Sequence, residues 1–332
     1  MQIICQFKNQ RFMIKFNIGM DIVDIKNVFE YEKGFKDIEI KKDKIRNYEY
    51  KKIKFRSSIT SKYEENNFVY GYIFYPNKEY DKKNILAIHP VHEAVPFFEH
   101  TVAFYFLKYG YRVSYITLPF HRERMPKDVK SKELFLSNDE YEYFFSMRQS
   151  IVDLRHFIQF LNDEEDDKEI YSIGFSLGAI LLNLLMGVDN RIIKGVSLMG
   201  AGNVIRLMGE GIYGLSSRRY YKKQGLNYDT YRNELKNFLN YVDMVKSKGE
   251  LIETKTIWYL VDPLTYASFN NPRNVLFING LFDLVMIKKA VYDLWERLGK
   301  PKIIWIPSSH YASPLFFPYI LNQSKKFFED KI

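Results

Sequence analysis

Short β-prone runs alternate along this chain with longer stretches whose apolar residues recur at helical spacing. Residues 52–58 and 68–75 alternate between apolar and polar positions, which predicts two strands paired as a hairpin. Apolar residues at helical spacing predict a long helix over about residues 140–161. Because strands and helices alternate, the pattern indicates the α/β class, with a mostly parallel central sheet and helices on both faces.

The same pattern divides the chain into three parts. Residues 1–50 are polar with little periodicity, apart from a possible helix over 21–31, and we interpret them as an N-terminal accessory segment. Residues 51–202 and 255–332 contain the strand–helix alternation and should form the core. Residues 203–254 interrupt it with helix-like stretches, which predicts a cap or lid above the carboxyl ends of the strands, where ligands bind in such sheets.

The chemistry begins at residues 174–178, which read Gly-Phe-Ser-Leu-Gly between a β-prone and a helix-prone run. In this pattern a strand turns sharply into a helix and exposes the hydroxyl group of the serine. The N–H groups at the start of such a helix lie where negative charge develops during acyl transfer. The pattern predicts that Ser176 is a nucleophile, and the alternative is a buried serine in a glycine-rich turn.

A nucleophile of this kind takes its acid and then its histidine from later in the chain. Of the 6 histidines, His310 alone follows Ser176, and it comes after the β-prone run 302–306. Asp283 follows the apolar run 274–280 and is the predicted acid, whose role is to orient the imidazole. Asp262 is the competing acid, because it follows the β-prone run 256–260, although Asp-Pro is also typical of a turn or helix start.

These three segments resemble the elbow, acid loop and histidine loop of the α/β-hydrolase superfamily, and the resemblance covers roughly residues 65–330. It implies an esterase- or lipase-like serine hydrolase that acts on a small-molecule ester through an acyl-enzyme and needs no cofactor. A peptidase, a thioesterase or an acyltransferase would use the same triad. A catalytically silent member that binds a ligand or a partner is the alternative from another class.

The resemblance also bears on the oxyanion hole. In many esterases of this superfamily the strand equivalent to 85–89 ends in His-Gly, but here it ends in His89-Pro90. Since proline has no N–H group, the predicted donors are Leu177 together with Val91 or His92. A metal site in His89-x-x-His92-Glu93 is disfavoured, because the zincin pattern is reversed and interrupted by proline, so no metal is expected.

The pocket is predicted less sharply than the triad. His89, Tyr213 and Leu215 are the candidate pocket residues, with a core position for His89 as the alternative. For the two cap residues, simple packing of the cap onto the core is an equally good interpretation.

Composition bears on the number of domains, the partners and the location of the protein. The 332 residues suit one α/β domain with an insertion, and the single cysteine excludes an intramolecular disulfide framework. The net charge of +9 is interpreted as a solvated lysine-rich surface, and no nucleic-acid partner is expected. The chain shows neither a leader nor an apolar stretch that could span a bilayer, so a cytoplasmic protein is expected. Met13 and Met20 leave an internal start open, and oligomeric state is not predicted.

Overall fold

The computed structural model describes residues 27–91, 93–127, 139–212, 214–223 and 228–332, and within them nine strands form one sheet. The strands are β1 (Glu39–Ile45), β2 (Tyr48–Arg56), β3 (Phe68–Phe74), β4 (Lys83–Ile88), β5 (Arg112–Ile116), β6 (Glu169–Phe175), β7 (Ile192–Leu198), β8 (Val275–Gly280) and β9 (Lys302–Ile306). The helices are α1 (Phe97–Phe106), α2 (Glu140–Asp163), α3 (Leu177–Val188), α4 (Val204–Glu210), α5 (Gly214–Lys223), α6 (Tyr228–Lys248), α7 (Pro263–Tyr266), α8 (Lys288–Arg297) and α9 (Phe317–Phe328).

The sheet is antiparallel at one side and parallel through the rest. Its strand order is β1-β2-β3-β5-β4-β6-β7-β8-β9. Strands β1, β2 and β3 pair antiparallel, as do β3 and β5, whereas every pair from β5 through β4 and β6 to β9 is parallel. The six parallel strands therefore present their carboxyl ends at one edge, where the loops that follow them meet.

Two apolar layers cover the two faces of the sheet. Helices α1 and α9 pack on one face, with Phe98, Val102 and Ile320 fully or almost fully buried there. Helices α2, α3 and α8 pack on the other, where Leu181 and Leu294 are buried. Helix α3 has buried residues around most of its surface, because it lies between the sheet and neighbouring helices. The predicted arrangement of helices on both faces is confirmed.

Local capping explains where several helices begin or end. The Asp139 carboxylate accepts hydrogen bonds from the N–H groups of Tyr141 and Glu142, at 2.9 and 3.1 Å, and so starts α2. After α1 a short 3₁₀ turn ends at Gly110, whose φ of 83° is the left-handed conformation favoured at such ends. The first boundary agrees with the helix predicted from about residue 140, and the second agrees with a helix that the apolar spacing predicts over about 98–109.

Three predicted features differ from the structure. The boundary placed at residue 50 falls inside β2, and residues 39–45 of the accessory segment add strand β1 to the same sheet. The apolar run 195–199 predicts a strand, and in the structure strand β7 begins at Ile192, three residues earlier. The run 256–260 is a 3₁₀ helix, Ile257–Val261, because Trp258 and Tyr259 pack on the buried ring of Phe238 rather than entering the sheet.

Two further observations complete the fold. Within the part of the chain that the structure describes, we find no helix with both the length and the apolar character needed to cross a bilayer. The possible helix at 21–31 lies mostly outside the described residues.

Candidate active site

Ser176 occupies the sharp turn between β6 and α3. Its φ of 56° and ψ of −113° are strained for a residue with a side chain, and such strain is characteristic of functional sites. The Ser176 N–H group donates to the Leu198 carbonyl oxygen at 2.9 Å, which fixes the turn to the neighbouring strand β7. Ser176 lies at the carboxyl edge of the sheet and is 4% exposed.

The two glycines of the pentapeptide are required by close approach. A Cβ atom on Gly174 would collide with the Gly178 carbonyl oxygen, and one on Gly178 would collide with the Ile88 carbonyl oxygen at the end of β4. The start of α3 is thus pressed against the strand that leads to the predicted oxyanion loop. Only glycine allows both approaches, as the elbow pattern predicts.

Asp283 lies in the loop after β8, and its carboxylate is held from two sides. Oδ1 accepts hydrogen bonds from the N–H groups of Val285 and Met286, at 2.7 and 2.9 Å. Oδ2 lies 2.7 Å from Nδ1 of His310, in the loop after β9. The Phe282 N–H group also donates to the Ser308 carbonyl oxygen at 3.0 Å, which ties the two loops together.

His310 connects the acid to the serine. Its Nε2 atom is 2.9 Å from Ser176 Oγ, and the ring is 6% exposed. Because an ionised carboxylate only accepts hydrogen bonds, Nδ1 carries the proton that faces Asp283. In the neutral ring Nε2 is then an acceptor for the Ser176 hydroxyl proton. The structure therefore brings together the three side chains that were predicted as a triad.

Asp262, the competing acid, has a different environment. It is fully buried, and its carboxylate accepts the N–H groups of Asn203, Val204 and Leu264 at 3.1, 2.7 and 2.9 Å. Burial raises the pKa of Asp262 to about 6, which these hydrogen bonds only partly counteract. The carboxylate caps α7 and anchors the start of the cap, and the hydrogen bonds that it makes among the described residues all come from backbone N–H groups.

The predicted oxyanion donors are only partly described. Leu177 is the first residue of α3, so its N–H group has no acceptor within the helix. Val91 is half-buried in the loop after β4, and His92 lies outside the described residues. Pro90 supplies no N–H group, and its carbonyl oxygen is bound by His89 instead.

His89 was predicted as a pocket residue, and the structure places it in the interior. It is fully buried, with Nδ1 2.8 Å from the Pro90 carbonyl oxygen. Its Nε2 atom accepts the Leu118 N–H group at 3.1 Å. Burial, followed by the charges of its neighbours, holds the pKa of His89 well below its ordinary value, so the ring is neutral. With both nitrogens bound to the backbone, His89 joins the loops after β4 and β5 and does not line a pocket.

The predicted cap residues contact the acid loop through the backbone. The Ile212 N–H group, between α4 and α5, donates to the Leu284 carbonyl oxygen at 3.2 Å. Arg206 and Asn203 both bind the Asp293 carboxylate on α8. Leu215, on α5, is 47% exposed, and Tyr213 lies outside the described residues.

Exposed apolar side chains are concentrated in the loops at this edge. They follow the strand ends that surround Ser176 and belong to three loops and the cap. These side chains, here called the rim, are Val95, Phe97, Leu281, Phe282, Leu284, Tyr311, Leu315, Ile212 and Leu215.

From the sequence, Glu93 is considered only in the disfavoured metal pattern, and the charged loop 118–124, which carries Arg122, could either border the pocket or form structural ion pairs. Glu99 has no predicted role. In the structure these three side chains form a buried ion cluster beside the loop after β4. The available indication was indirect, since charged residues follow two predicted strand ends at this edge. Their pairing depends on three segments that meet only in the folded chain.

Comparison by sequence finds only distant relatives of this chain, whereas comparison by structure identifies its fold. No family model matches the chain. Uncharacterized proteins from two strains of Mycobacterium tuberculosis are 22% identical to it over 204 residues, which is 60% of this chain and 42% of theirs. The match thus spans less than half the length of these curated relatives.

Solved structures cover far more of the chain. Acetyl xylan esterase 1 from a Thermoanaerobacterium species matches with a TM-score of 0.56 and 14% identity, over 90% of this chain and 91% of that one. This chain has the α/β-hydrolase fold. An esterase from Pyrococcus furiosus matches with a TM-score of 0.52 and 17% identity, over 85% and 93% of the two chains.

A third matching structure belongs to a protein that is named a peptidase rather than an esterase. The acylaminoacyl peptidase of Pyrococcus horikoshii matches with a TM-score of 0.54 and 16% identity, over 86% of this chain and 41% of that one. At such identities the α/β-hydrolase fold is shared, whereas the reaction has to be argued from the site.

Proposed function

We propose that the chain is a serine hydrolase that cleaves carboxylic esters through an acyl-enzyme. The observation that carries the proposal is the buried chain of hydrogen bonds from Ser176 through His310 to Asp283, with spacings of 2.9 and 2.7 Å. A serine at a strained turn, a base within hydrogen-bond reach and an acid that orients the base are the parts that nucleophilic acyl transfer needs.

The proposed reaction has two halves. Ser176 Oγ attacks the ester carbonyl carbon while its proton moves to Nε2 of His310, and the oxyanion accepts the Leu177 N–H group and one from the loop after β4. The protonated imidazole then gives that proton to the departing alkoxide, which leaves as the alcohol. In the second half His310 takes a proton from water, the resulting oxygen attacks the acyl carbon, and Ser176 regains its proton as the acid departs.

The surroundings of the triad favour small to medium apolar acyl esters. The rim side chains are aliphatic and aromatic and lie in segments at the carboxyl edge of the sheet, where Ser176 also lies, and such side chains match an alkyl chain better than a charged peptide. Two of the neighbouring solved structures are named esterases, which is consistent with this substrate class. The peptidase among them makes N-acyl peptides the strongest competing substrate.

A matched substrate panel tests the proposal. We expect p-nitrophenyl acetate, butyrate and octanoate to be hydrolysed faster than an acyl thioester or an N-acetylated peptide anilide with the same acyl group. If deacylation is slower than acylation, p-nitrophenol should also appear in an initial burst equal to the enzyme concentration. The Ser176→Ala variant controls for background hydrolysis. Faster turnover of the peptide anilide would replace the esterase proposal with a peptidase.

A further inference from the structure

A buried ion cluster, here called the clasp, joins three segments at the carboxyl edge of the sheet. The clasp consists of Glu93 in the loop after β4, Glu99 in the first turn of α1 and Arg122 after β5. One terminal nitrogen of Arg122 donates to Glu93 Oε2 at 3.2 Å and also to Glu99 Oε1. The other oxygen of Glu93 accepts the Phe98 N–H group at 2.7 Å, at the start of α1.

The clasp costs free energy of desolvation, because its charged side chains are buried. The side chain of Glu99 is fully buried, and those of Glu93 and Arg122 are 10% and 9% exposed. Among the described residues, Glu99 Oε2 and Arg122 Nε have no hydrogen-bond partner. Arg122 also has a φ of 43°, in the left-handed region. Buried charges and strained backbone are weak sources of stability, so their presence here points to a requirement for precise loop geometry.

The segment that the clasp holds is the predicted oxyanion loop. Glu93 directly follows Val91 and His92, the candidate donors on this loop. At the other end of the loop, His89 is bound by the Leu118 N–H group, which comes from the same connection that carries Arg122. The loop is therefore attached to the connection after β5 on both sides of the candidate donors.

We propose that Arg122, through Glu93 and Glu99, is a positioning residue that holds the oxyanion loop beside Ser176. This inference rests on the proposed function, because it assumes that the loop after β4 donates to an oxyanion. The charges of the clasp do not touch the reacting atoms. Their effect is to fix where a backbone N–H group points, and that geometry matters most in the transition state.

The protonation state of Glu93 suggests a conservative variant for the test. Burial and the neighbouring Glu99 carboxylate raise the pKa of Glu93 to about 9, so its carboxyl group is neutral near pH 7. Glutamine has the same shape as a neutral glutamic acid and keeps an oxygen that accepts the Phe98 N–H group. Glu93→Gln should therefore keep the bond from Phe98 and a donor towards Glu99 and lose only the 3.2 Å contact from Arg122, whereas Glu93→Ala removes all three.

The chain offers a matched control at the other end of β5. Arg112 is also 9% exposed and is held by two carboxylates, Asp167 at 2.7 Å and Glu165 at 3.4 Å. It begins β5, whereas Arg122 follows its carboxyl end, so Arg112 lies at the edge of the sheet away from Ser176. Arg112→Gln and Arg122→Gln thus break similar ion clusters at opposite edges.

The experiment measures kcat and KM of these variants for the hydrolysis of p-nitrophenyl butyrate. It also measures the melting temperature of each variant. We expect Arg122→Gln and Glu93→Ala to lower kcat by about 10- to 100-fold with KM changed by less than about 3-fold. Arg122→Lys should be intermediate, because one ammonium group cannot reproduce the guanidinium contacts. Glu93→Gln should keep kcat within about 3-fold of the wild type, and so should Arg112→Gln despite its lower melting temperature.

Two results would overturn the inference. The first is a kcat for folded Arg122→Gln or Glu93→Ala that equals the kcat of Arg112→Gln. If Arg122→Gln does not fold, Glu93→Ala and Glu93→Gln decide the question, and equal kcat values for them are the second contradictory result. A wild type that neither hydrolyses esters nor reacts with a fluorophosphonate would instead contradict the proposed function, and the clasp with it.

Discussion

Nε2 of His310 lies 2.9 Å from Oγ of Ser176, although 134 residues separate them in the chain. The two side chains follow β9 and β6, which are separated in the sheet by β7 and β8. The contact depends on four parallel strands in register and on a histidine loop that returns across two strand ends. It is the structural basis of the proposed reaction, and most of the predictions below test groups that hold it in place.

The acid should be Asp283, with Asp262 in a structural role. We expect Asp283→Asn to lower kcat on the order of 10⁴-fold with little change in stability, because the amide no longer holds the required histidine tautomer. Asp262→Asn should mainly lower the melting temperature, since Asp262 accepts three backbone N–H groups. Steady-state kinetics and thermal unfolding of both variants check this, and the opposite ranking of kcat would show that Asp262 is the acid.

Gly178 should be irreplaceable at the elbow. A Cβ atom there meets the carbonyl oxygen of Ile88, so Gly178→Ala must push α3 away from β4 and move the Leu177 N–H group. We expect a loss of about 1–3 kcal/mol in the free energy of unfolding together with a large fall in kcat. Gly249→Ala is the control, because its Cβ atom meets nothing within 4 Å and the φ of 69° costs about 1–2 kcal/mol without moving the site. Normal kcat in folded Gly178→Ala would contradict the packing argument.

The cap should decide which acyl groups enter. Leu215 belongs to the rim and is exposed, so Leu215→Ala should change the relative rates of butyrate and octanoate esters with little effect on stability. Ile193→Ala is the matched control, since Ile193 is an exposed aliphatic residue near the amino end of β7, away from the site. Rates on both esters and melting temperatures test the idea. An unchanged ester ranking in Leu215→Ala, with a lower melting temperature, would make this residue a packing element.

The stability of the clasp should depend on pH through Glu93. The folded-state pKa of Glu93 is raised to about 9 from 4.5, with Glu99 and Arg122 facing its carboxyl group. The contribution of Glu93 to the free energy of unfolding is therefore fully present below about pH 4.5 and is lost as the pH rises towards about 9. The loss occurs because the folded state keeps a proton on Glu93 that the unfolded chain releases. Glutamine does not titrate, so the free energy of unfolding of Glu93→Gln relative to the wild type should increase with pH.

Urea unfolding of both proteins at about pH 5, 7 and 9 measures that difference directly. Groups that titrate elsewhere in the fold contribute equally to the two proteins and cancel. A difference that stays constant or decreases with rising pH would show that Glu93 is ionised within the clasp.

Much of the proposed site could be predicted because its residues mark strand ends. Ser176, Asp283 and His310 each follow an apolar run, and the carboxyl ends of parallel strands meet at one edge. The fold class follows from the same alternation of strands and helices. The catalytic roles of the three residues remain predictions that the experiments here would test.

The features that escaped prediction depend on tertiary contacts. Strand β1 is exposed along most of its length and is defined by its pairing with β2, and its two isoleucines form no apolar alternation. Residues 257–261 have β-prone side chains, yet aromatic packing against Phe238 holds them in a 3₁₀ helix. His89 was predicted as a pocket residue with a core position as the alternative, and burial together with its bonds to the Leu118 N–H group and the Pro90 carbonyl oxygen favours the core position.

Labelling with a fluorophosphonate tests the central claim most directly, because this reagent requires an activated serine and makes no assumption about the substrate. The folded wild type should gain one phosphonyl group, located by peptide mass spectrometry on Ser176. Ser176→Ala and urea-unfolded wild type should gain none, and ester hydrolysis by Ser176→Ala should fall by about a thousandfold or more. A folded wild type that stays unlabelled, or a Ser176→Ala variant that is labelled and hydrolyses esters like the wild type, would contradict the account.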